Sequence, residues 1–163
     1  MCIPTTLIEQ DQVEFWLFGV EQADVCAFSF EAVQQHARWV SESWGSDPEA
    51  PMRYELFEAR ERCWPCASDA GACGTEGRLA TTRMPDRHEV AHAAHGTSCT
   101  SLIEEAWATL YANPFEGGEI VGSLEDVGEA IEDAGRLPGE YYPLAARFVA
   151  FVIEGWGIGA VHQ

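Results

Sequence analysis

The order in which hydrophobic periods succeed one another along the chain constrains its fold more than any single residue does. "VEFWLFGV" (13–20) is a β-branched and aromatic run and predicts a strand. From Ser29 to Trp44, Phe30, Val33, His36/Ala37 and Val40 recur at helical spacing until Gly45 closes the segment. "SDPEAP" breaks the chain, and "MRYELF" (52–57) alternates as a second strand. "EARERC" reads as a short helical turn into a cysteine-containing loop, and "GRLATTR" (77–83) as a third strand whose polar cast suits a sheet edge. Only helices follow, at 86–95, 101–112, 123–134 and 140–157. The third of these opens on a capping-box-like Ser123 and Asp126. One strand, one helix, two strands and then four helices predict an α+β fold with helices segregated behind a small sheet. Residues 1–12 read as a flexible tail and 13–163 as a single domain.

Charge narrows the partners. The net charge is −18, and all nine positive residues are arginine. Such a surface repels nucleic acid and anionic lipid, which makes both poor partners. Hydrophobic content of 47% with six Trp and eight Phe belongs to a globular chain rather than a disordered one. No segment approaches the roughly 20 apolar residues that span a bilayer. The start, "MCIPTTLIEQDQ", has neither a basic stretch nor an apolar run and so shows no signal peptide. Cys2 before a polar, Pro-containing tether is nonetheless a candidate site for a lipid anchor.

Cysteine usage points toward an oxidising compartment. Six cysteines (Cys2, Cys26, Cys63, Cys66, Cys73, Cys99) are many for 163 residues, and "CWPCASDAGAC" places three in one loop. A disulfide-stapled loop is the leading reading, ahead of free thiols, with metal or redox chemistry last. A structural zinc site would need Cys99 or a distant His as fourth ligand. A redox pair at "CWPC" would need a strand before it and a helix opening at it, whereas a helical stretch ends there.

The segment "RHEVAHAAHG" (87–96) carries the chemistry. Pro85 and Asp86 open the helix, Gly96 stops it, and His88 and His92 stand four residues apart. That spacing projects both imidazoles from one helix face, where they can bind one Zn2+ with Glu89 beside it as general base. His95 continues the run, but a rigid helix cannot place residues i, i+4 and i+7 around one tetrahedral ion. A third ligand must come from elsewhere, and "SLIEEAWATLYA" (101–112) offers Glu104 and Glu105. Only one of the two can face a metal while Leu102, Trp107 or Leu110 face a core. Buried among apolar neighbours, that carboxylate would need a cation to pair it. His36 and His162 read as packing or surface histidines.

"HEVAH" followed by "EEAWATLY" resembles the gluzincin metallopeptidases, in which a downstream glutamate completes an HExxH site. The resemblance aligns Glu105, Ala106, Trp107 and Ala108 with the glutamate element. It implies His88, His92 and Glu105 as zinc ligands, with Glu104 as the fallback; Ala106 departs from the family's usual glycine. "DVCAFSF", "MRYELF", the cysteine loop and "YPLAARFVAFVIEGWG" occur in the same order as in small extracytoplasmic gluzincin-like proteins of myxobacteria and related bacteria. The likeness spans about residues 20–157.

What the resemblance implies is a minimal zincin-like domain, secreted or lipid-anchored, hydrolysing a peptide or protein substrate by metal-assisted attack of water. Zinc would activate the water and polarise the scissile carbonyl, and Glu89 would carry the proton to the leaving amine. The strand "GRLATTR" would pair with an extended peptide. Tyr142 is the favoured electrophile for the oxyanion, with Tyr141, His95 and Arg147 also available. The chain lacks the large second lobe that usually walls a protease cleft. The alternative is therefore a zincin-fold binding protein of the cell envelope with little or no catalysis.

Overall fold

The computed structural model describes residues 3–45, 51–59, 64–67, 70–95, 101–112, 120–134 and 136–161. The fold is α+β, with a five-stranded mixed sheet and five α-helices among these residues. The chain divides into two compact units, residues 1–96 and 97–163.

The first unit holds the whole sheet: β1 (Thr6–Gln10), β2 (Val13–Phe18), β3 (Met52–Phe57), β4 (Ala72–Thr75) and β5 (Arg78–Thr81). Their spatial order is β1-β2-β3-β5-β4. β2, β3 and β5 run parallel, whereas β1 and β4 close the two edges antiparallel. Helix α1 (Ala27–Trp44) connects β2 to β3, as a parallel pair requires a crossover. Its C-terminus ends where the sequence predicts, at Gly45 with a left-handed φ of 73°. Alternation along the strands sends Val13, Phe15, Leu17, Met52, Tyr54, Leu56 and Leu79 into one buried cluster. Phe30, Val33 and Ala37 of α1 and Val90 and Ala93 of α2 (Arg87–His95) complete it. The ring of Phe15 meets Phe30 edge-on at 4.9 Å and Tyr54 at 5.6 Å.

On the opposite face of the sheet lies Glu55, 1% exposed, between two arginines. Arg78 grips it with two 2.9 Å hydrogen bonds, and the Arg53 Nε forms an ion pair at 2.6 Å without the alignment of a hydrogen bond. The Arg53 guanidinium in turn covers the Trp16 ring at 3.6 Å.

Three expectations need correction here. Residues 6–10 form β1, not a tail, joined to β2 through Asp11, whose φ is 39°. "ACGT" within the cysteine loop forms β4, and the turn to β5 passes through Gly77 with φ +72°. Consequently "GRLATTR" does not lie at an edge: β5 sits between β3 and β4. Its polar residues tolerate that position because each has an internal partner, Arg78 in Glu55 and Thr81 in Asp86. The helical turn expected at 58–63 falls largely outside the described residues.

The second unit is helical: α3 (Ser101–Ala112), α4 (Leu124–Ala134) and α5 (Tyr142–Trp156). α3 packs against α5, and Ala106, Trp107 and Ala108 of the one and Ala145, Ala146 and Val149 of the other are buried. The expected cap of α4 is present, with Ser123 N–H and Oγ donating to Asp126 Oδ2 and Asp126 N–H returning to Ser123 Oγ at 3.3 Å. No helix among the described residues is long and apolar enough to cross a membrane.

Candidate metal centre

Helix α2 begins where a buried polar network holds its first turn. Asp86 is 7% exposed; its carboxylate accepts the Thr81 hydroxyl at 2.8 Å, and its carbonyl accepts the Val90 N–H at 3.0 Å. The Asp86 N–H donates to the Tyr54 hydroxyl at 3.1 Å, and that hydroxyl donates to the Arg83 carbonyl at 2.6 Å. Burial, reinforced by the negative charge of Asp86, pushes the Tyr54 phenol well above its ordinary pKa, so it remains a donor. At the other end of the helix, the Gly77 N–H donates to the Ala93 carbonyl at 2.9 Å, satisfying one of the groups a helix leaves open. Ala91, Ala93 and Ala94 are buried, and their small side chains let α2 lie close to α1, β4 and β5.

On this helix His88 and His92 are half-buried, with their Nε2 atoms 3.2 Å apart and their rings 4.8 Å apart at 74°. Two imidazole nitrogens held about 2.0–2.1 Å from one tetrahedral Zn2+ stand about 3.3 Å apart. The observed pair thus already spans one edge of such a site. His88, His92 and Glu105 form a group that could hold a metal ion: each offers one ligand atom, and these atoms lie within 4.8 Å of one another. Those are the three ligands expected from the sequence, with Glu105 rather than Glu104 in the group.

Glu89, the expected base, is half-buried on α2 and borders the edge strand β4. A Cβ placed on Gly74 of β4 would stand 3.0 Å from Glu89 Oε2 and 2.9 Å from both the Glu89 carbonyl and His92 Cβ. This contact was not foreseen; its signal is a glycine inside a short strand that a Glu-Gly hairpin turn follows. Of the remaining candidates, Tyr142 opens α5 in the second unit and is half-buried, and Arg147 is exposed on the same helix. The His95 side chain and His162 lie outside the described residues. His36 packs by α2: its ring donates to the Arg87 carbonyl at 3.2 Å, and burial lowers its pKa to about 4.

The cysteine loop contains a disulfide, Cys66–Cys73, which follows the leading expectation. It removes Cys66 from a redox pair with Cys63 and removes both sulfurs from thiolate ligation. Cys26 is free and exposed, while Cys2, Cys63 and Cys99 lie outside the described residues.

Comparison with protein-family models, with curated proteins and with solved structures finds no match to this chain.

Proposed function

We propose that this chain is a zinc-dependent peptidase of gluzincin type, with His88, His92 and Glu105 as ligands and Glu89 as general base. The observation that carries the reading is the 3.2 Å separation of the two imidazole nitrogens on one helix, within a group that includes Glu105. Two neutral nitrogens and one carboxylate are the donor set of a catalytic zinc site, which keeps a position open for water. When bound, zinc lowers the pKa of that water and polarises the substrate carbonyl. Glu89 accepts a proton from the water at its carboxylate and delivers it to the leaving amine. β4 replaces "GRLATTR" as the strand that receives the substrate, because it is an edge strand and runs beside Glu89. Tyr142 is the candidate donor to the developing oxyanion, and His95 a candidate on the substrate side.

A disulfide in the same unit agrees with an extracytoplasmic location, for which Cys2 remains the candidate lipid anchor. The substrate class on this reading is a peptide or protein. Metal analysis of the purified protein and of three variants, with cleavage of an unstructured protein such as casein, tests the proposal. About one zinc per chain is expected in the wild type. It should be lost in His88→Ala and Glu105→Ala and kept in Glu89→Gln, which should no longer cleave. Zinc that survives His88→Ala rejects the site. A zinc-loaded wild type that cleaves nothing assigns the chain to the binding-protein alternative.

A further inference from the structure

We infer that Gly74 is a positioning residue that seats Glu89 and His92 of α2 against the edge strand β4. What it positions is named by the peptidase reading above, but the contact itself stands apart from that reading. Glycine inside a strand weakens it, so its presence at the centre of β4 calls for a cause. Backbone freedom is not that cause, since Gly74 is absent from the residues with positive φ, whereas Gly77 at the following turn has φ +72°. Close approach is. A Cβ at position 74 would lie 2.9 Å from the Glu89 carbonyl oxygen, 2.9 Å from His92 Cβ and 3.0 Å from Glu89 Oε2. Carbon contacts are most favourable at about 3.5–4.0 Å, so all three are overlaps. Only the carboxylate oxygen could swing away, because the other two atoms belong to the helix framework. By contrast, a Cβ on Gly71, three residues earlier, would meet nothing within 4 Å.

Sliding does not relieve the overlap either. β4 is paired along its length with β5, Cys73 is bonded to Cys66, and Gly77 N–H is bonded to the Ala93 carbonyl of α2. The hairpin is fastened to the helix on one side of the contact through Gly77 and Ala93. On the other side it is held through Thr81, the β5 partner of Ala72; the Thr81 hydroxyl donates to Asp86 just before α2. A side chain at 74 must displace the base, the ligand, or both.

The test compares Gly74→Ala with Gly71→Ala, each with and without metal. In the metal-free proteins, the His92 imidazole resonances shift in Gly74→Ala and stay in place in Gly71→Ala. With metal, Gly74→Ala loses about tenfold in zinc affinity, the scale of a lost supporting contact, and the visible band of its cobalt(II) form changes. Should the two variants match in resonances, affinity and spectrum, the inference is wrong. If Gly74→Ala does not fold, the wild type decides: a nuclear Overhauser contact between Gly74 Hα and His92 Hβ upholds the inference, and its absence overturns it. A wild type that takes up no zinc defeats the peptidase reading alone, because the metal-free resonances still report on Gly74.

Discussion

His88 and His92 present their Nε2 atoms to each other at 3.2 Å from consecutive turns of α2. Without a cation, two neutral imidazoles at this distance share one N–H···N hydrogen bond. A metal replaces that bond by using both lone pairs, and both rings must then be deprotonated at Nε2. Zinc should therefore stabilise the fold by mass action, by about 2.7 kcal/mol at a free concentration 100 times its Kd. Thermal unfolding followed across a zinc titration measures this. The shift should disappear in His92→Ala, and acidification should weaken it as protons compete for the rings.

A second prediction concerns His36, which burial keeps neutral down to about pH 4 against an ordinary value of 6.5. Its folded pKa lies below its unfolded one, so protons bind the unfolded chain preferentially. The stability it contributes is complete above pH 6.5 and is lost as pH falls toward 4. Urea unfolding at several pH values should show a decline across this window that is shallower in His36→Gln. Equal slopes in the two proteins would remove His36 as the cause.

The Glu55 cluster makes a third case. Removing Arg78 leaves a carboxylate that is 1% exposed with Arg53 alone. Breaking a buried pair from one side costs about 3–5 kcal/mol; with Arg53 remaining, Arg78→Met should cost about 2–3 kcal/mol. Glu55→Met/Arg78→Met should recover part of that loss, since the buried carboxylate is gone while Arg53, which loses its ion-pair partner, is a third exposed and keeps its place over the Trp16 ring. A double-mutant cycle on denaturant midpoints gives the coupling directly.

The Cys66–Cys73 bond closes a loop of seven residues' separation. Loop-closure entropy gives about 2.5 kcal/mol for a link of that size. Cys66→Ser/Cys73→Ser should therefore lower stability by up to about that much. Amide exchange should quicken at residues 72–75 and remain slow in β2 and β3. Uniform acceleration across the sheet would mean that the bond does not act locally on β4.

How much of this was legible from the sequence divides along a physical line. Features set by neighbours in the chain were readable: the Gly45 stop of α1, the Ser123–Asp126 cap, and the His88/His92 spacing all depend on residues within four positions. Glu105 was reached through family likeness and belongs to the group of three ligand atoms that could hold a metal. Strands that acquire their character only by pairing were missed. β1 buries little of itself, and β4 is four residues inside a Gly/Ala-rich loop. β5 was misplaced to an edge because Arg78 and Thr81 look solvated until Glu55 and Asp86 come into view. Gly74 was invisible for the same reason, as its neighbours Glu89 and His92 are brought to it through space.

The shortness of β4 sets a ruler at the sheet's edge. Four residues at about 3.4 Å each present roughly 14 Å of backbone, and main-chain groups alternate in direction along a strand. Two residues' worth of N–H and C=O can therefore face outward. Any chain that adds itself there is gripped by its main chain over a tripeptide or so, a footprint too small to reward long sequences. Selectivity at this edge must come from the side chains flanking that grip rather than from its length.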